Sequence, residues 1–232
     1  MGVASVKNYI LASSRKWALE AYFRERSELS GNWTIVTTST DLQSATKLLK
    51  PRYIFFPHWS SIVSEEILSE TECVCFHMTD VPYGRGGSPL QNLIERGHKE
   101  TVLTALRMEK TLDSGPVYMK LQLPLQGTAD QIFAKAAELT MKMIGDIVRE
   151  EPVPDAQSGP ITQFHRRNPE QSIIPDGLNI AGLYDHIRML DAPGYPNAFI
   201  DYDHWRAHFT CADVKGDVIE ARVRFEIKKK NS

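Results

Sequence analysis

The sequence predicts an α/β fold: a mostly parallel, twisted sheet with helices on both faces, followed by a small α+β appendage at the carboxyl end. Three observations carry this expectation. The first eighty residues cycle between short apolar runs and amphipathic stretches, and the spacers between runs are long enough for crossover helices. A polar, proline-bearing stretch at 150–159 then separates this cycle from a different pattern of elements. Parallel strands require crossover connections, so alternating runs and helices point to a parallel sheet covered on its faces.

Taken in order, the apolar run 9–12 reads as a strand, Ser13-Ser14 as a turn, and 16–29 as a helix carrying Trp17, Leu19, Ala21 and Tyr22. The cycle repeats as a strand at 33–38 and a helix at 41–49 that stops before Pro51, then as a strand at 53–56, a helix at 64–69 and a strand at 74–78. A turn-rich loop at 79–89 leads into a helix at 90–96, with Ser88 expected as N-cap, Pro89 in the first helical position and Gly97 closing the helix. Strands follow at 102–108 and 117–123, and Thr128 with Gln131 forms a capping box for a helix reaching about 149. Residues 1–150 are thereby expected to form one domain, and 151–232 a connector and small subdomain. The latter holds 162–167, a helix at 180–190, strands at 198–202, 208–212 and 218–226, and a solvated run Lys228-Lys229-Lys230. The turn after the first strand lacks G-x-G-x-x-G, so the sheet is Rossmann-like in shape without the phosphate fingerprint.

Composition narrows the function classes. The 232 residues are 42% hydrophobic and 24% charged, an ordinary globular balance that excludes disordered, collagen-like and coiled-coil classes. A formal net charge of −2 supplies no broad cationic field, so no nucleic-acid partner is expected. No apolar run approaches the roughly 20 residues that span a bilayer, so no membrane partner is expected either. Three cysteines, Cys73, Cys75 and Cys211, are an odd count without a secretory signal, which points to a reducing, cytoplasmic setting and no disulfide framework.

Chemistry concentrates in Cys73-Val74-Cys75-Phe76-His77, where period-two spacing aligns Cys73, Cys75 and His77 on one strand face. Zinc is not expected there, because structural sites use C-x-x-C turns and no fourth ligand is evident; small buried hydrophobes explain the thiols better. His77 sits at the carboxyl end of a parallel strand before a Gly-rich loop, where open α/β sheets place ligands. Asp113, in the turn Leu112-Asp113-Ser114-Gly115, would orient the imidazole if folded beside it.

The ordered set of His77, the loop Val81-Pro82-Tyr83-Gly84-Arg85-Gly86-Gly87-Ser88-Pro89 and the turn Leu112-Asp113-Ser114-Gly115 resembles the formyltransferases that use 10-formyltetrahydrofolate. In that family a strand ends in N-x-H, a P-x-x-R-G loop follows, and an L-D-x-G turn carries the aspartate. The resemblance covers about residues 7–150. It implies His77 and Asp113 as catalytic residues, with Cys75 in the place of the family's asparagine. There the histidine and the asparagine hold an oxyanion while the aspartate assists the histidine and proton removal. A thiol is a weak donor, and a lost oxyanion donor costs on the order of a hundredfold in rate, so a slower enzyme or another donor is implied.

The resemblance also implies a folate site at Pro57, His58 and Trp59, at Val81, Tyr83, Gly84 and Arg85, and at Thr111 and Leu112; ordinary packing is the competing reading for Trp59 and Tyr83. Segments 166–172 and 187–199 look like those of formyltransferases acting on amino sugars in sialic-acid-like pathways. The expected acceptor is therefore a nucleotide-linked amino sugar, a UDP- or dTDP-linked 4-amino-4,6-dideoxy sugar, contacted by Arg166, Arg188 and Tyr195. A homodimer is the expected assembly. Two alternatives stand beside this: a methionyl-tRNA or carrier-bound amine as acceptor, and a non-catalytic folate- or sugar-binding relative.

Overall fold

The computed structural model describes residues 6–228. Its elements in chain order are β1 (Asn8–Ala12), α1 (Lys16–Glu25), β2 (Asn32–Val36), α2 (Ser39–Leu49), β3 (Tyr53–Phe56), α3 (Glu65–Glu70), β4 (Glu72–His77), β5 (Arg85–Gly86), α4 (Pro89–Glu95), β6 (Glu100–Arg107), β7 (Val117–Pro124), α5 (Ala129–Glu150), β8 (Gln163–Phe164), α6 (Ile180–Arg188), β9 (Ala198–Asp201), β10 (Trp205–Lys215) and β11 (Val218–Ile227). Each expected strand and helix has a counterpart, and the bounds move by a few residues. The first helix ends at Glu25 and tightens into a 3-10 turn at Arg26–Glu28. Helix α2 begins two residues earlier than expected because Thr38, not a later residue, caps it: its hydroxyl accepts from the Asp41 amide at 3.1 Å.

The chain divides into two units. One comprises Met1–Gly86, Thr101–Leu123 and Ala134–Gln163; the other comprises Gly87–Glu100, Pro124–Phe133 and Phe164–Ser232. The units are thus interleaved along the sequence, where a single division at residue 150 was expected.

The first unit holds a six-stranded sheet of order β2-β1-β3-β4-β6-β7. Strands β2, β1, β3 and β4 are parallel, in the registers Tyr9↔Trp33, Tyr9↔Tyr53 and Ile54↔Cys73. Strand β6 is antiparallel to β4, pairing Thr104 with His77. Central strands are apolar on both faces, and Ile10, Leu11, Tyr53, Ile54, Phe55 and Phe56 are essentially excluded from solvent. Burial of each such side chain contributes about 1.5–3 kcal/mol before entropy is counted. Strand β2 lies at the edge, which is why its side chains are only partly covered. One sheet face carries a core of Ile10, Ala12, Val36, Leu42, Ile54, Phe56, Ile67 and Cys73, with Trp59, Cys75 and Met108 packed at its margin.

The second unit contains α4, α6 and an antiparallel sheet of order β11-β10-β9. Ser88 occupies the N-cap position of α4 but does not cap it. Its backbone is left-handed at φ 51°, and its hydroxyl instead accepts from the Arg167 amide at 3.1 Å. The Thr128 and Gln131 capping box is present, with reciprocal bonds of 3.0 and 3.3 Å. Lys228 is held by the Tyr202 carbonyl at 2.8 Å, and Lys229 and Lys230 lie outside the described residues. Among the described residues no helix is long and apolar enough to cross a membrane.

Candidate active site

His77 is the last residue of β4, and the parallel strand β3 ends beside it, since Phe56 pairs with Cys75. Pro57, His58 and Trp59 therefore leave the sheet at the same edge as His77. Strand β6 runs the other way: Thr104 lies opposite His77, Arg107 lies opposite Val74, and the Met108 amide donates to the Cys73 carbonyl at 2.7 Å. The chain thus leaves β6 about 10 Å from His77, at roughly 3.3 Å per strand residue. The turn that follows folds back along the strand and brings Asp113 to the histidine.

The His77 Nδ1 to Asp113 Oδ2 distance is 3.6 Å, and each side chain is 9% exposed. On the other side of the ring, Nε2 lies 2.8 Å from the Gly84 carbonyl. A carbonyl only accepts, so Nε2 carries hydrogen in this arrangement and Nδ1 is the nitrogen that faces the carboxylate. Asp113 Oδ2 also accepts from the Gly86 amide at 2.9 Å. The aspartate backbone is left-handed, φ 53°, a conformation that persists only where the surroundings hold it. The turn supplies that restraint: Arg107 N–H donates to the Pro116 carbonyl at 2.9 Å and the Ser114 hydroxyl to the Thr111 carbonyl at 2.8 Å. A Cβ at Gly115 would collide with the Arg107 carbonyl, so only glycine lets the turn approach the strand this closely.

Two further groups shape the electrostatics. Burial and then the negative charge of Asp113 push the Cys75 thiol upward, so it stays neutral and offers only a weak S–H donor. His58, with a left-handed backbone at φ 60°, stands edge-on to Trp17, with ring centroids 5.4 Å apart. Burial, then Arg15, then His77 lower its pKa to about 4, so His58 is a neutral imidazole near neutral pH. Among the described residues no three His, Cys, Asp or Glu side chains gather as a metal site.

The residues expected to bind folate all fall in this unit, with their polar groups largely engaged. The Gly84 and Arg85 amides donate to the Thr162 carbonyl, the Tyr83 amide to Asp80, and the Val81 carbonyl accepts from Lys120. The Arg85 guanidinium binds Gln157 Oε1 through Nε and Nη2, at 3.1 and 2.7 Å. Leu112 is 67% exposed, and Thr111 is exposed beside it. Trp59 Nε1 is buried with no hydrogen-bond partner. Gln157, which also donates to the Asp113 carbonyl at 2.8 Å and the Gly115 carbonyl at 2.7 Å, escaped the sequence reading. A lone glutamine in a polar connector carries no local signal.

Arg166, Arg188 and Tyr195 belong to the second unit. The Arg188 guanidinium is engaged by protein groups. It is buried, binds Asp185 at 2.6 Å, and donates from Nη1 to the Leu125 and Gly127 carbonyls at 2.6 and 2.9 Å. These bonds tie the two backbone segments to α6. Arg166 is exposed, and Gly87 packs against its Cβ. Tyr195 stacks on Phe133 at 5.2 Å and lines a cavity of about 710 Å³ with Thr128, Asp191 and Cys211.

A family model described as methionyl-tRNA formyltransferase, C-terminal domain, matches residues 169–226. The methionyl-tRNA formyltransferase of Sinorhizobium medicae is 30% identical over 152 residues, covering 61% of this chain and 48% of that protein. That of Xylella fastidiosa is 30% identical over 138 residues, covering 55% and 45%. The chain spans about half the length of these curated relatives. A solved structure described as methionyl-tRNA formyltransferase from Clostridium thermocellum is 43% identical, with a TM-score of 0.92, covering 96% of this chain and 100% of that one. A 4-N formyltransferase from Francisella tularensis, 15% identical with a TM-score of 0.64 and covering 84% of this chain and 92% of its own, shares the fold alone.

These relatives overturn two expectations, the nucleotide-linked sugar acceptor and the exclusion of a nucleic-acid partner. The proteins at 30% and 43% identity carry the name of tRNA enzymes, and the matched model covers most of the segments read as sugar marks. Net charge is a sum over the whole surface and does not report a local cationic patch. On identity and coverage together, the chain belongs to the formyltransferase family.

Proposed function

We propose that the protein is an N-formyltransferase that moves a formyl group from 10-formyltetrahydrofolate to the amine of methionyl-tRNA. The observation that carries this reading is the buried His77 and Asp113 pair, with Nδ1 and Oδ2 3.6 Å apart at the carboxyl end of β4. The acceptor is assigned from the names of the relatives at 30% and 43% identity.

The residues present suit the folate cosubstrate. Trp59 Nε1 is an orphaned buried donor that a ring nitrogen or carbonyl would satisfy, and Leu112 offers an exposed apolar side chain beside Asp113. When bound, the cosubstrate supplies an electrophilic formyl carbon. His77 Nε2 carries hydrogen and can donate to an oxygen that gains negative charge, exchanging its bond to the Gly84 carbonyl for that partner. With the cosubstrate bound, Asp113 would face a proton held at Nδ1 and would take the proton that the attacking amine loses as its bond to the formyl carbon forms; that proton would then pass to the nitrogen whose bond to the formyl carbon breaks. Cys75 contributes a neutral thiol where the family pattern has an amide.

The test is incubation with 10-formyltetrahydrofolate and methionyl-tRNA, measuring release of tetrahydrofolate and formylated methionine after deacylation. Free methionine and uncharged tRNA are the controls. Transfer to methionyl-tRNA supports the reading, and folded protein that forms no formylated product overturns it.

A further inference from the structure

We infer that Gln157 is a positioning residue that sets the Asp113 turn against the loop holding His77, an inference that rests on the formyl-transfer reading of the same site. One side-chain amide makes four contacts. Its Nε2 donates to the carbonyls of Asp113 and Gly115, at 2.8 and 2.7 Å, and its Oε1 accepts from Nε and Nη2 of Arg85, at 3.1 and 2.7 Å. The partners fix its orientation, because carbonyls only accept and a guanidinium only donates.

The strand of connector that carries Gln157 is itself fastened on both sides. Val117 and Asp155 exchange two backbone bonds, of 2.7 and 2.9 Å, just before it. After it, the Thr162 carbonyl accepts from the Gly84 and Arg85 amides, and the Thr162 amide donates to the Pro82 carbonyl. Gln157 is half-buried between exposed neighbours. The residues it joins hold the reacting pair: the Gly84 carbonyl binds His77 Nε2, and the Gly86 amide binds Asp113 Oδ2. Gln157 closes this circuit by restraining the aspartate backbone, which sits at φ 53°.

The chemistry admits glutamine alone. Glutamate keeps the acceptor for Arg85 but turns a negative oxygen toward two carbonyls, and asparagine is one methylene too short. Residues that orient a reacting group from outside typically matter by about 10–100-fold in rate.

The experiment uses the whole chain with Gln157→Ala, Gln157→Glu, Asp113→Ala and the double variant Asp113→Ala/Gln157→Ala, each checked for cooperative thermal melting. Formyl transfer is measured as kcat and as KM for the cosubstrate. Gly86 amide hydrogen exchange is measured by NMR without substrate. In Gln157→Ala, kcat falls about 10–100-fold at unchanged KM, and Gly86 exchange speeds up about tenfold or more. Gln157→Glu falls at least as far, and removing Gln157 from the Asp113→Ala protein changes neither readout further. Full rates in Gln157→Glu, additive losses in the double variant, or unchanged Gly86 exchange in Gln157→Ala each overturn the inference. If the wild-type protein transfers no formyl group, the functional reading fails by itself, and Gly86 exchange still decides the role of Gln157.

Discussion

Oδ2 of Asp113 lies 3.6 Å from Nδ1 of His77 and 2.9 Å from the Gly86 amide, so a single carboxylate oxygen faces both the ring and the loop that holds the ring's other nitrogen. An Asp113→Asn substitution keeps an acceptor for Gly86 while removing the charge opposite the imidazole. The expected result is a kcat lowered about 100-fold or more with little change in thermal stability, read from initial rates and melting curves. A kcat within about twofold of wild type would remove Asp113 from the mechanism.

Gly115 tests the turn that delivers the aspartate. A methyl group there meets the backbone carbonyl of Arg107, which cannot rotate away without opening the β6–β7 connection. Gly115→Ala is expected to destabilise the protein by about 2 kcal/mol or more in chemical denaturation and to lower kcat with it. Equal stability would mean that the turn is free to shift.

Cys75 tests the oxyanion contact. Its thiol, kept neutral by burial and by Asp113, is a weak donor at the place where the family pattern carries an amide. Cys75→Asn is expected to raise kcat about tenfold, part of what one oxyanion donor contributes. An unchanged rate would assign that contact to another group.

Arg188 separates a structural from a substrate role. Its buried guanidinium serves Asp185 and two backbone carbonyls. Arg188→Ala is expected to destabilise the fold by about 3 kcal/mol, because it leaves the Leu125 and Gly127 carbonyls without this donor and Asp185 with Lys99 alone. Acceptor KM in the folded fraction should remain unchanged, and a raised KM with full stability would restore the substrate role.

His58 gives the fold an acid sensitivity of defined sign. Its folded pKa, about 4, lies below the unfolded value of 6.5, so between these values the unfolded chain binds a proton that the native state refuses. Stability from this source is full above pH 6.5, falls as pH drops toward 4 and levels off below, by at most about 3 kcal/mol. His58→Asn, which tolerates the left-handed backbone, should flatten the pH dependence of unfolding free energy in that window. An unchanged slope would contradict the assignment.

Much of this architecture was readable because the central strands are buried on both faces and appear as unbroken apolar runs, as Tyr53 to Phe56 does. His77 and Asp113 were readable because the chemistry of a strand end and a glycine-bearing turn is local. What escaped depends on partners distant in sequence. Ser88 has the composition of a cap, but its backbone turns the hydroxyl to Arg167. Arg188 has the charge of an anion ligand, but its partners lie about sixty residues upstream as well as on its own helix. Gln157 looks like connector, and only the folded loop shows that it spans Arg85 and Asp113. The acceptor was misjudged for a related reason, since a net charge near zero does not locate charge on a surface.

We propose that the His77 and Asp113 pair drives formyl transfer to methionyl-tRNA. Its most direct test is a single-turnover measurement with 10-formyltetrahydrofolate and methionyl-tRNA, comparing wild type with folded His77→Ala and Asp113→Ala proteins. The expected result is formyl-methionyl-tRNA from the wild type and a rate lower by about 100-fold or more in each variant. Equal rates in all three proteins, or no formylated product from the wild type, would contradict it.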